Sequence, residues 1–244
     1  MQRWPKMWKN NIFFILVEPS EPGNIGSAAR AIKNMGFRNL ELVNPVDYWT
    51  DEAQCLACNA YDIVENATVY EALSDALNDK TTAIAMTRRV GKTRGLIMPI
   101  KQCSFEISRS AEKNRIAIVF GREDKGLTNE EIKQCSYIAT IPTHEYQPSL
   151  NLAQAVLIVA YELSQLEPKD NLDRLVDQEE LMPLFDRISD SLKLLGYVPR
   201  GDRDMESGML RNFKNIIGRS GLTDWEFNMI HGIITQLEDH VKKE

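Results

Sequence analysis

Three short segments of this chain gather residues able to orient a polar ligand and to steady charge as it develops. They are Glu18-Pro-Ser-Glu-Pro-Gly-Asn-Ile-Gly-Ser-Ala-Ala-Arg30, Phe120-Gly-Arg-Glu-Asp-Lys-Gly-Leu127, and Ile141-Pro-Thr-His-Glu-Tyr-Gln-Pro-Ser-Leu-Asn-Leu-Ala153. Among them stand a carboxamide (Asn24), a guanidinium (Arg30), a carboxylate (Glu123) and a hydroxyl (Ser149). Arginine keeps its proton at any ordinary pH, so Arg30 suits steering and charge stabilisation better than proton abstraction. Gly23, Gly26, Gly121 and Gly126 permit positive φ or close approach of a ligand to the backbone, and each taken alone also reads as an ordinary turn. Asn24 and Ser27 can cap a helix that begins there, leaving Arg30 one turn inside it. Gly23-Asn-Ile-Gly26 lacks the spacing of a dinucleotide fingerprint, and no G-K-[ST] closes the second segment, so a nucleotide hydrolase finds no support.

Each segment follows an apolar run that reads as a strand. Ile12–Val17, Leu40–Val43, Ala83–Thr87, Ile116–Phe120 and Ile138–Ile141 are continuous rather than alternating, the pattern of strands buried on both faces of a parallel sheet. The C-terminal ends of such strands are where open α/β sheets bind ligands. Helices are predicted at Ser27–Met35, at Glu71–Asn78, from the Thr128/Glu131 capping box, and from Leu152 to Leu166. The fold class is thus α/β, with five or six strands in residues 1–166. Glu167-Pro-Lys-Asp-Asn171 reads as a linker, and 167–244 as a helical extension: Gln178–Leu195, Met205 to Ile217 before Gly218, and a helix from Thr223 with Glu226 in a second capping box.

Composition narrows the class. Of 244 residues, 43% are apolar and 26% charged, which is ordinary for a folded chain. No apolar run approaches the roughly 20 residues of a membrane span, and Ile12–Val17 followed by Glu18-Pro19 is no signal peptide, which points to the cytoplasm. Cys55-x-x-Cys58 has no second pair and no nearby histidine, so it reads as buried or incidental thiols rather than a metal or redox motif, and no metal is expected. The net charge of −6 is uneven: residues 1–166 hold 18 Lys/Arg against 19 Asp/Glu, and 167–244 hold 11 against 16. One basic cluster stands out, Arg88-Arg-Val-Gly-Lys-Thr-Arg94, which alone could be a solvated loop. His144 reads as a loop histidine, and His231 and His240 as structural or solvated.

In order and spacing, the three segments closely resemble the signature motifs of the SpoU/TrmH-type SPOUT RNA methyltransferases. Asn24-x-Gly26-x-x-x-Arg30 is similar to motif one and Gly121-Arg122-Glu123-x-x-Gly126-Leu127 to motif two. Ile141-Pro142 with Ser149-Leu150-Asn151-Leu152-x-x-Ala155 is similar to motif three. The tail, with Leu184-Phe-Asp-Arg and Met209-Leu-Arg-Asn-Phe, resembles that of the TrmJ-like tRNA (cytidine/uridine-2'-O-)-methyltransferases.

The resemblance implies a knotted SPOUT domain, with a trefoil threaded near 116–160, that binds S-adenosyl-L-methionine and methylates a ribose 2'-hydroxyl of tRNA at the pyrimidine in position 32 of the anticodon loop. It implies donor binding by Thr87, Arg88, Arg89, Gly121, Ile141, Pro148, Ser149 and Leu150. Arg88 and Arg89 stand where the family more commonly has small residues. Catalysis would fall to Arg30 and Ser149, with Asn24 positioning substrate or Arg30 and Glu123 ordering the second segment. RNA would be held by Arg30, Arg88, Arg89, Lys92, Arg94, Arg211 and Lys214. The family further implies a homodimer in which Arg30 of one subunit completes the other's site, and the Leu152–Leu166 helix, apolar on a wide face, is a candidate for its interface. A ribosomal-RNA methyltransferase and a catalytically silent RNA-binding factor are the competing readings; the second would be expected to lack Asn24, Arg30, Glu123 or Ser149.

Overall fold

The run Ile12–Val17 forms strand β1, and its side chains divide between two cores. Ile12, Phe14 and Leu16 enter one and Ile15 and Val17 the other. The chain is described from a computed structural model covering residues 7–88, 97–167, 173–197 and 205–241. These residues belong to two compact units, one within Met1–Leu172 and one within Asp173–Glu244.

In the first unit, α1 (Pro22–Asn34), β2 (Asn39–Val43), α2 (Asp51–Ala57), α3 (Tyr61–Glu65), β3 (Thr68–Tyr70) and α4 (Leu73–Leu77) follow β1. Then come β4 (Thr82–Met86), β5 (Ile97–Pro99), α5 (Ile100–Ser110), β6 (Ile116–Phe120), α6 (Asn129–Lys133), β7 (Tyr137–Thr140) and α7 (Leu152–Ser164). The strands form one sheet in the order β3-β2-β1-β6-β4-β7-β5, and every pairing is parallel. Helices α1, α5 and α7 cover one face, and α4 and α6 the other, which is why the longer strands read as continuous apolar runs. The expected strands are present, and β3 and β5 are additional. Both are three-residue edge strands, too short to leave a pattern.

In the second unit, α8 (Gln178–Leu194) is capped by Asp177 and Glu180 in a reciprocal capping box. It packs against α9 (Met205–Ser220) and α10 (Asp224–Val241), whose own box pairs Thr223 with Glu226. Helix α9 runs through Gly218, the predicted stop, because a glycine inside a packed helix costs only about 1 kcal/mol.

Candidate active site

The sheet order places β6, β4 and β7 side by side, so three loops leave its C-terminal edge together. Between them lies a cleft enclosing about 800 Å³, part of it open to solvent. Met86, Thr87 and Arg88 line it after β4, Phe120 to Gly126 after β6, and Ile141, Thr143 and Pro148 to Leu150 after β7. Leu152 and Ala155 of α7 close one side. Thr87, Arg88, Gly121, Ile141, Pro148, Ser149 and Leu150 therefore share one cavity, and Arg89 lies outside the described residues. The Thr87 amide donates to the Ala139 carbonyl at 2.9 Å, tying the β4 loop to β7.

One hydrogen-bonded chain joins the three segments. Asn24, buried in α1, donates from Nδ2 to Glu123 Oε1 at 2.9 Å, and its Oδ1 accepts from Asn151 Nδ2 at 2.8 Å. Asn151 caps α7, its Oδ1 accepting from the amides of Ala153 and Gln154. Glu123 Oε2 also accepts from the Ser20 amide and hydroxyl. Burial pushes the Glu123 carboxyl up, but the donors Asn24 and Ser20 outweigh that and hold it below the usual carboxylate range. Asn151 stands in the third segment, but its partner is not readable from local spacing, since Asn24 is 127 residues away.

A second network was not visible in the sequence. Arg122 donates from Nε to Glu18 at 2.7 Å and from both Nη atoms to Glu131 at 3.1 and 2.9 Å, a forked pairing that spans the loop. Hydrogen bonds donated to Glu18 and then to Glu131 raise the guanidinium above its ordinary value. Glu131 also serves the capping box of α6, so one carboxylate fixes both the helix start and the cleft wall. The loop closes on itself where Gly126, at φ +66°, pairs with Arg122. A Cβ at Gly121 would lie 2.2 Å from the Gly126 carbonyl carbon, so this glycine admits backbone rather than a ligand.

The first segment needs correction. Helix α1 starts at Pro22, with Glu21 as an N-cap that makes no side-chain bond, so Asn24 and Ser27 lie inside the helix and cap nothing. Proline at the first helical position explains the early start. Gly23 and Gly26 are helical, and what they admit is α2: a Cβ on Gly26 would lie 2.0 Å from the Ala53 carbonyl oxygen, and one on Gly23 2.9 Å from a Leu56 methyl. Arg30 continues that stripe at helical spacing and meets Cys58, with Nη1 donating to Sγ at 3.4 Å. Arg30 is exposed and is not among the residues lining the cleft. Asn24 therefore turns to Glu123 and Asn151, and does not touch Arg30.

Cys55 and Cys58 are both exposed, not buried. His144 is exposed in the third segment beside Tyr146. Lys92 and Arg94 lie outside the described residues, as does the Arg211 side chain, while Lys214 Nζ lies 5.1 Å from the Phe185 ring centre. Among the described residues no group of His, Cys, Asp and Glu could hold a metal ion, and no helix is long and apolar enough to cross a membrane.

Residues 11–161 match the SpoU rRNA Methylase family. The tRNA (cytidine/uridine-2'-O-)-methyltransferase TrmJ of Escherichia coli K12 is 32% identical over 242 residues, covering 95% of this chain and 97% of that protein. A tRNA/rRNA methyltransferase of Haemophilus influenzae, uncharacterised, is 34% identical over 95% of this chain and 96% of its own length. The crystal structure of TrmJ from Z. mobilis ZM4 superposes with a TM-score of 0.76 at 30% identity, over 93% of this chain and 98% of that one. With the three motif segments meeting at one cleft and relatives matched from end to end, the chain belongs to the SpoU methylase family, in its TrmJ-like branch.

Proposed function

We propose that this protein transfers a methyl group from S-adenosyl-L-methionine to a ribose 2'-hydroxyl of tRNA, at the pyrimidine in position 32 of the anticodon loop. The observation that carries the reading is the cleft at the ends of β6, β4 and β7, whose walls are locked together by Asn24, Glu123 and Asn151.

The cleft fits the donor. Its lining sets apolar side chains beside a few polar groups, the make-up of small-molecule sites. Met86, Phe120, Ile141 and Leu150 offer apolar surface for a purine ring, while Thr87, Thr143 and Ser149 offer hydroxyls to a ribose or amino-acid end. When bound, the donor supplies an activated methyl on a sulfonium. The trefoil expected near 116–160 belongs to this reading as the device that would hold the donor bent.

A ribose hydroxyl is a poor nucleophile and must be oriented and relieved of its proton. Ser149, exposed at the cleft, stands where it can accept or pass a hydrogen bond. Arg30, permanently charged, steers the ribose and an adjacent phosphate and stabilises the developing alkoxide. Because Arg30 is exposed and does not line its own chain's cleft, it serves the cleft of a second copy, and the working unit is a homodimer. Helix α7 supports that assembly by exposing Leu157 and Tyr161 one turn apart. Arg88 at the cleft mouth and Lys214 in the second unit would contact phosphate, with Arg89, Lys92, Arg94 and Arg211 as further cations. The protein would work in the cytoplasm, where tRNA is.

Incubation of the purified protein with methyl-labelled donor and either tRNA or ribosomal RNA, followed by nucleoside mass spectrometry, tests the proposal. Label on a 2'-O-methylpyrimidine of tRNA supports it; label on ribosomal RNA alone, or on neither, overturns it. Arg30→Ala should abolish transfer while leaving donor binding nearly intact.

A further inference from the structure

The exposed pair Cys55 and Cys58 takes no part in the cleft, yet it touches the residue on which the proposed chemistry turns. Helix α2 packs so closely on α1 that the Ala53 carbonyl sits over Gly26, and one turn further along α1 the guanidinium of Arg30 meets the Cys58 sulfur. Cys58 is the C-cap of α2, held at φ +49°, a left-handed conformation that non-glycine residues seldom adopt. That turn brings its Sγ back over the helix end, where it donates to the Cys55 carbonyl at 3.3 Å. Two residues three apart at a helix end have Cα atoms roughly 5 Å apart. A disulfide needs about 4.4–6.8 Å. Both cysteines are exposed.

Resting on the reading of Arg30 given above, we propose that Cys58 is a positioning residue for Arg30 and that Cys55 and Cys58 form a reversible thiol switch on methyl transfer. A small-molecule disulfide supplies the oxidant. The Cys58 thiolate attacks one of its sulfurs, forming a mixed disulfide and expelling a thiolate. The Cys55 thiolate then attacks the Cys58 sulfur, closing the Cys55–Cys58 bond and expelling the second thiolate. Two electrons pass from the pair to the oxidant, and the two cysteine protons go to the two leaving thiolates. Closure draws the Cys58 sulfur toward Cys55 and away from the guanidinium, so Arg30 loses the acceptor that fixes its direction. The bond would be exposed and would close a very small ring, features of reducible disulfides rather than structural ones.

The experiment uses the full chain equilibrated in glutathione buffers from reducing to oxidising, with two readouts on each sample. Mass spectrometry reads loss of two hydrogens from the peptide carrying Cys55 and Cys58; steady-state kinetics reads methyl transfer to tRNA. Closure should lower kcat by roughly tenfold or more, the scale on which a displaced orienting group acts, with donor affinity unchanged and full recovery on adding a dithiol. Cys55→Ser should keep the reduced rate and stay insensitive to oxidant levels that close the wild-type bond. Cys58→Ala should lower kcat without weakening donor binding, and Cys58→Ser, which keeps an acceptor for Arg30, should recover most of it. A pair that stays reduced in oxidising buffer overturns the switch, and so does a closed bond with unchanged kcat. Absence of transfer by the reduced wild type would instead defeat the methyltransferase reading, and the mass readout tells the two failures apart.

Discussion

Asn24 and Glu123, 99 residues apart, meet in a 2.9 Å hydrogen bond that fastens helix α1 to the loop after β6. The carboxamide spends its other end on Asn151, so its removal leaves a helix cap and a half-buried carboxylate without a shared donor and acceptor. Asn24→Ala should cost about 1–3 kcal/mol in urea unfolding, the range for orphaned buried polar groups. It should also weaken donor binding, because both affected loops line the cleft. A variant with unchanged stability and unchanged donor affinity would show that the bond organises nothing.

Glu123 also carries a pH dependence. Its folded-state carboxyl lies below its ordinary value of 4.5, so it contributes stability that is present above that pH and is lost as pH falls through the lower, folded value. Replacing it with Gln removes this contribution. The gap in stability between wild type and Glu123→Gln should therefore be widest near neutrality and shrink below about pH 4.5. Parallel stability curves from neutral to acid pH would contradict the assignment.

Arg122 illustrates why lysine is a poor replacement for a forked cation. Its guanidinium reaches Glu18 and Glu131 at once, and the Glu131 contact is shielded, with side-chain exposures of 16% and 14%. An ammonium is a point charge and serves one carboxylate well. Arg122→Lys should lower stability by about 1.5–3 kcal/mol, the worth of a hydrogen bond to a charged group, and raise KM for the donor. Thermal unfolding and initial-rate kinetics would check both.

The longer strands were legible because burial on two faces writes itself as an unbroken apolar run, as in Ile116–Phe120. The start of α1 was not legible. Pro22, Gly23 and Gly26 look like a loop until the fold supplies α2, whose backbone occupies the space their missing side chains leave. The cleft residues of the second and third segments followed from motif positions, since those motifs follow strands that the sheet places near one another, while Thr87 and Arg88 were given by the resemblance alone. The pairings Asn24–Asn151 and Arg122–Glu18 were hidden by sequence separation, whereas the Thr128/Glu131 capping box was readable from local spacing.

The two α1 glycines give opposite expectations for the same change. In an exposed helix, glycine to alanine stabilises by roughly 0.5–1 kcal/mol. At Gly26 the new methyl would meet the Ala53 carbonyl, main chain that cannot step aside, and overpacking of that kind costs about 1–3 kcal/mol. Gly26→Ala should therefore destabilise on balance. At Gly23 the obstacles are the Glu52 carboxylate and a Leu56 methyl, both ends of flexible side chains, so Gly23→Ala should be near neutral. Equal effects at the two sites would mean that α1 and α2 are not in such close contact.

The placement of Arg30 outside its own cleft makes the subunit arrangement testable without a structure of the complex. Arg30→Ala and Ser149→Ala should each yield an inactive protein. In a mixed dimer of the two variants, the cleft that keeps Ser149 belongs to the chain lacking Arg30, and it can borrow that residue from its partner. If Arg30 acts across the interface, one of the two sites is whole and mixing restores transfer. If Arg30 acts within its own chain, each site lacks one group and mixing restores nothing. Co-expression with two affinity tags, isolation of the mixed species and a transfer assay on tRNA distinguish the cases. Activity in the mixed dimer is the expected result, because the exposed Arg30 guanidinium is bonded to Cys58 on the α2 side of α1 and does not line its own chain's cleft.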